Sequence, residues 1–276
     1  MKNKYFMIGL IALIIISLLI VIENYRYLSL NKKNYIYYET SCKNNNQESC
    51  SYINSFPYYE MDANSFFISC MNTKTFNSII FFIPLIITIM SILYFFEKIK
   101  KGYIKYELIR GKSIYIQLFC LYKYAFILPL FFLFIYILSC IVTKFNFSIE
   151  SLKYYVINYN FNKVILDNII NYYFVYFFVL FLVNIFFINI GLIIARFSSN
   201  IISIVLKMYI VYMCIFAFFE QYLEKIFKNV NPMVFNITNI YTYNNITNFN
   251  EVIIFYLILS SLFFIPILSY KDIIYE

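Results

Sequence analysis

The chain is expected to be an all-α integral membrane protein of six transmembrane helices, with both termini cytoplasmic and small extracytoplasmic segments. Three observations predict this. Of 276 residues, 62% are hydrophobic and only 13% charged, with a mean hydropathy of +0.72, outside the range of soluble domains. Six apolar runs, each of 17 residues or more, cut the sequence into loops. The charge then divides between alternate loops. One set holds twelve basic residues against four acidic ones, which accounts for the whole formal excess of +8, and the other set balances to zero. Lys and Arg bias orients membrane proteins with the basic side cytoplasmic. Backbone groups in lipid must be bonded within a helix or a closed barrel, and runs of this length are not barrel strands.

The first run, residues 6–22, follows Lys2 and Lys4. Glu23-Asn24-Tyr25-Arg26 comes next instead of a small-x-small cleavage site, so the run reads as an uncleaved anchor. As a helix it spans about 26 Å, just adequate for the bilayer core. Residues 24–75 are rich in Asn, Ser and Tyr and read as an extracytoplasmic loop. This stretch is too small for a core of its own, so it should pack on other outer segments. It holds Cys42, Cys50 and Cys70, in a compartment that permits disulfides. Cys42–Cys50, closing a short Asn-rich loop, is the expected pair, and a free Cys70 should be open to an impermeant thiol reagent.

The second run, residues 78–96, carries Pro84, and a basic cytoplasmic loop follows at 97–113. The third, residues 114–142, is longer than one straight crossing, so Lys123 near its start should snorkel to the inner interface. Residues 144–170 form a second outer loop, with a short surface helix beginning at Ser151-Leu152-Lys153. Runs four (172–195) and five (201–219) make a tight hairpin on the basic side. Residues 220–251 are outer again, and the sixth run, 252–270, precedes an inner tail.

Zero His removes the usual general base and the commonest metal ligand. No pair of carboxylates sits inside an apolar run, so a lipid-modifying enzyme is disfavoured. Gly111-Lys112-Ser113 looks like the end of a phosphate-binding loop, but Tyr106 stands where that loop needs Gly and no strand leads into it. The chain is therefore expected to be no enzyme, with neither cofactor nor metal of its own. Asn184 and Asn189, about 140° apart on a helix, should bond separately to neighbouring helices. Lys207 should snorkel to the inner interface. The Asn, Ile, Lys, Tyr and Phe bias is that of an AT-rich genome and points to a bacterial source.

The basic loop is the one segment with more than topological content. On a helix of 100° per residue, Ile99, Tyr103 and Tyr106 share a face, while Lys98, Lys101, Lys105 and Lys112 gather opposite. Such an amphipathic segment suits the lipids of the inner leaflet or a partner's groove. Around it stand Phe95-Phe96-Glu97, Gly102-Tyr103, Ile109-Arg110 and Tyr122-Lys123. This order resembles the cytoplasmic loop of ABC transporter permease subunits of the type-2 exporter kind. Six spans, inner termini and Asn231-Pro232 between spans five and six fit the same pattern.

The resemblance implies a plasma-membrane, multi-pass permease that dimerises with a second copy or a paralogue. It would bind a separate cytoplasmic ABC ATPase subunit, which holds the ATP and Mg, and no nucleic acid is expected. Glu97, Gly102, Tyr103, Tyr106, Arg110 and Lys123 would then serve coupling and ATPase docking, with residues 97–113 as the coupling loop. An alternative from the same residues is a non-transporting immunity or sensor protein that binds a peptide at its outer loops.

Overall fold

A computed structural model describes residues 4–44, 47–55, 61–80, 82–100, 120–158, 163–166, 168–198, 200–221 and 249–268. Among them every regular element is helical. In chain order these are α1 (Lys4–Lys43), α2 (Gln47–Ser55), α3 (Ala63–Met71), α4 (Lys74–Ile80), α5 (Ile83–Lys100), a 3₁₀ turn (Tyr122–Phe126) running into α6 (Ile127–Val142), α7 (Ile149–Asn158), α8 (Ile169–Arg196), α9 (Ile201–Gln221) and α10 (Phe249–Leu268). Three helices are long and apolar enough to cross a membrane: α1, the unit Tyr122–Val142, and α8. A fourth crossing results if α4 and α5 are taken together, and α9 and α10 contribute the shorter apolar stretches Ile201–Ile215 and Ile253–Phe263.

α1 departs from the sequence reading. Its helix does not stop at residue 22 but continues to Lys43, because residues 23–43 contain neither Gly nor Pro to break it. At 40 residues it is about 60 Å long, roughly twice the bilayer core. Its buried face reads Gly9, Leu13, Ser17, Ile20, Val21 and Asn24. In a helix that is apolar all round, small and polar residues mark the packed side. The Ser17 hydroxyl returns its proton to the Leu13 carbonyl at 2.7 Å, so it can be buried without a foreign partner.

Pro84 explains the shape of the second run. α4 and α5 meet at 42°, and Pro84 is the second residue of α5, where its missing N–H costs no helical bond. The Pro84 carbonyl also accepts the Thr88 hydroxyl at 2.8 Å. Further along, α5 crosses α8 at Gly191, where an added Cβ would overlap Ile92 Cδ1 and lie 2.9 Å from Thr88 Cγ2. A glycine there lets two backbones approach. α8 is the central post, packing on α10, α5, α6 and the 3₁₀ turn.

The helices around α3 share one packed unit. α3 is buried along its whole length, against α1, α6 and α7. α6 closes with Lys144 and Phe145 at φ 54° and 57°, and the Phe145 N–H donates back to the Cys140 carbonyl at 2.8 Å, a left-handed helix stop. The reversed chain then presents the Asn146 carbonyl to the Ala63 N–H at 2.8 Å. α7 is not the surface helix expected at 151–155. Ser151, Leu152 and Val156 are each 1% exposed, because this face covers α3. At the α8–α9 hairpin the Lys207 ammonium donates to the Phe197 carbonyl at 2.9 Å and to Ser198 Oγ at 3.3 Å, a cation at a helix C-terminus.

Candidate functional site

The end of the bundle that carries the basic residues is organised around one ring. Tyr94 lies four residues before Lys98 on α5, so helical geometry puts the two side chains on one face. The Lys98 ammonium sits 5.0 Å from the Tyr94 ring centroid. Lys123, in the 3₁₀ turn, brings its ammonium to 4.9 Å from the same centroid and 5.8 Å from that of Tyr124. Such a contact contributes about 0.5–1 kcal/mol when exposed and more when desolvated. Tyr94 is 8% exposed and Tyr124 fully buried, so the rings are fixed and the lysines are oriented by them. One turn on, Glu97 meets Lys4 of α1 at 3.9 Å, with the lysine 63% exposed. A pair so open adds little stability, yet it ties the start of α1 to the end of α5.

The neighbour of Lys123 points the other way. The Tyr122 hydroxyl donates to Asn189 Oδ1 of α8 at 2.7 Å, and Asn189 Nδ2 donates to the Ser260 carbonyl of α10 at 3.0 Å. Asn184, on another face of α8, donates to the Ala125 carbonyl of the 3₁₀ turn at 3.1 Å. Two adjacent residues, Tyr122 and Lys123, thus join the segment returning from residues 101–119 to α5, α8 and α10. Of the residues singled out from sequence, Glu97 and Lys123 fall in this assembly. Gly102, Tyr103, Tyr106 and Arg110 lie outside the described residues. Tyr94 was not singled out, and Tyr122 and Lys4 were named only beside Lys123 and before the first run; the i, i+4 spacing of Tyr94 and Lys98 was the available signal.

A second polar cluster lies among α3, α6, α7 and α8. Asp62 caps α3, accepting the Ser65 N–H at 2.9 Å and the Ser65 hydroxyl on Oδ1, while Asn64 Nδ2 reaches Oδ2 at 3.4 Å. The hydroxyls of Tyr136 and Tyr173 both donate to Asn64 Oδ1 at 3.2 Å, and Ser151 Oγ lies 3.2 Å from Ser65 Oγ. Asp62 is 1% exposed, so no substrate reaches its carboxylate, and the cluster acts as a joint between four helices. Asn24 does the same for α1, donating to the Phe66 carbonyl and to Cys70 Sγ, both at 3.3 Å, and accepting the Ser69 hydroxyl at 2.8 Å.

Cys70 corrects the accessibility expected of it. It is fully buried, and burial pushes its thiol up to about 12, outweighing the Asn24 hydrogen bond that favours the thiolate. Cys42 and Cys50 are joined in a disulfide with their Cα atoms 4.8 Å apart, which clips α2 against the far end of α1. Among the described residues no group of His, Cys, Asp and Glu is arranged to hold a metal ion. The arrangement ties the segment Tyr122–Phe126 to α5, α8 and α10. No family model, no curated protein and no solved structure matches the chain.

Proposed function

We propose that the protein is the membrane-spanning permease subunit of an ATP-binding-cassette exporter, crossing the plasma membrane six times with both termini inside. In this reading a separate cytoplasmic ATPase acts through residues 97–113. The observation that carries it is the convergence on Tyr94 of Lys98, at the start of that loop, and Lys123, ten residues beyond its end. In this reading a push on the loop reaches α5 through Lys98 and Lys123, and Tyr122 passes it to α8 and α10 through Asn189. Closure of the ATPases would then favour one tilt of the helices over another, and the coupling energy is the difference in ATPase affinity for the two states.

The test is co-purification of the detergent-solubilised chain with an ATPase encoded beside it. Recovery of the complex, weakened by Tyr103→Asp without loss of membrane insertion, is the expected result. Recovery of no ATPase, with none encoded nearby, overturns the reading.

One observation favours the alternative, a peptide-binding immunity or sensor protein. Beyond its apolar part α1 exposes Tyr27, Leu30 and Tyr37 on one side, and the Cys42–Cys50 bridge backs its far end with α2. A rigid aromatic helix face of this kind is suited to a peptide partner. Protection from a peptide toxin that persists in a Tyr103→Asp variant and is lost in Tyr37→Asp would favour it.

A further inference from the structure

The seam between α1 and α4–α5 holds two cavities at different depths, and their chemistries differ. Where the apolar run of α1 ends, a half-open cleft of about 470 Å³ lies between α1, the end of α3 and the start of α4, lined by Glu23, Asn24, Ser69 and Lys74, among others. Deeper along α1 and α4–α5 lies a groove of about 180 Å³ whose lining includes Gly9, Ala12, Leu13, Ile83, Ile86 and Met90, without polar surface. Gly9 is what keeps it open, since a Cβ there would already lie 3.0 Å from Met90 Cε.

The polar cleft carries one charge of each sign. Glu23 lines the cleft, and its Oε2 accepts the Thr75 N–H at 3.3 Å. Lys74 is exposed and makes no ion pair among the described residues. The floor is rigid because Asn24 and Ser69 are 1% and 4% exposed and bonded to each other. Leu13 of the groove lies ten residues before Glu23 on one continuous helix. That separation is about 15 Å, half the thickness of a bilayer core. A phosphate beside an ammonium, with an apolar chain of one leaflet's length below, is the complement of this seam.

We infer that the α1/α4–α5 seam binds one zwitterionic glycerophospholipid of the ethanolamine type. Its phosphate meets Lys74, its ammonium meets Glu23, and one acyl chain runs down α1 to Leu13 and Ala12. The inference is independent of the exporter reading, since it concerns the outward side of α1 and not the basic loop.

The full chain, reconstituted in nanodiscs of equal phosphatidylethanolamine and phosphatidylglycerol and re-extracted in mild detergent, should retain phosphatidylethanolamine selectively when bound lipid is measured by mass spectrometry. Glu23→Gln should lower that enrichment by about tenfold, the scale of one charge-assisted hydrogen bond, since only the ethanolamine lipid offers Glu23 an ammonium. Ala12→Phe, which fills the groove from an exposed position, should remove retained lipid of both kinds with elution volume unchanged. Equal retention of both lipids, or retention indifferent to either variant, overturns the proposal. So does an Ala12→Phe protein that keeps its lipid but changes oligomeric state, since the groove would then be an interface between copies of the chain.

Discussion

Asn189→Leu tests whether the segment entering at Tyr122 is mechanically tied to the bundle. Asn189 is 1% exposed, and its amide accepts from the Tyr122 hydroxyl at 2.7 Å while donating to the Ser260 carbonyl at 3.0 Å. Leucine keeps the bulk and removes both bonds. Hydrogen bonds between membrane helices contribute about 0.6 kcal/mol on average and up to about 1.7. Stranding the Tyr122 hydroxyl adds about 1–3 kcal/mol, so the single variant should lose on the order of 2–4 kcal/mol. Tyr122→Phe alone should lose about 1–3 kcal/mol, since it leaves Asn189 Oδ1 buried without a donor. In the double variant no hydroxyl is stranded, so the combined loss falls short of the sum by about 1 kcal/mol or more. Unfolding by titration with sodium dodecyl sulfate in mixed micelles, followed by circular dichroism, gives all four corners of the cycle. Losses that add within about 0.3 kcal/mol would refute the link.

Two further outcomes follow from the packing. Gly191→Ala should destabilise by about 1–3 kcal/mol, because its Cβ overlaps Ile92 and crowds Thr88 Cγ2 at 2.9 Å; an unchanged melting temperature in detergent would show that α5 and α8 are not so close. Cys70 should resist an impermeant maleimide at pH 8 until the protein is unfolded, since its thiol is buried. Its folded pKa is raised from 9.0 to about 12, so the stability tied to the neutral thiol is complete below about 9 and is lost as pH rises through about 12. Labelling of the native protein at pH 8 would contradict that burial.

Much of the helical order was legible because apolar run length is a direct property of the residues. α8 occupies Ile169–Arg196 where the run was read at 172–195. The separate bonding of Asn184 and Asn189 also follows from their angular spacing. α1 was legible only to residue 22, since its polar continuation has neither the hydropathy of a span nor a breaker. α3 and α7 were invisible as buried elements. Their polar residues read as loop or surface until Ser151 is seen to bond Asp62 and Ser65, 86 or more positions away in the chain.

What the residues determined alone was the membrane class, the helices and the sum of charge on each set of loops. Those depend on composition and local spacing, which transfer free energy and the helical period translate into structure. Which face of each helix is buried was decided by the tertiary structure, because in a chain apolar all round the hydrophobic effect does not discriminate between faces. Shape and hydrogen bonding discriminate instead: Gly191 against Thr88 and Ile92, Asn24 against Ser69, and Tyr94 beneath two lysines 25 residues apart in sequence.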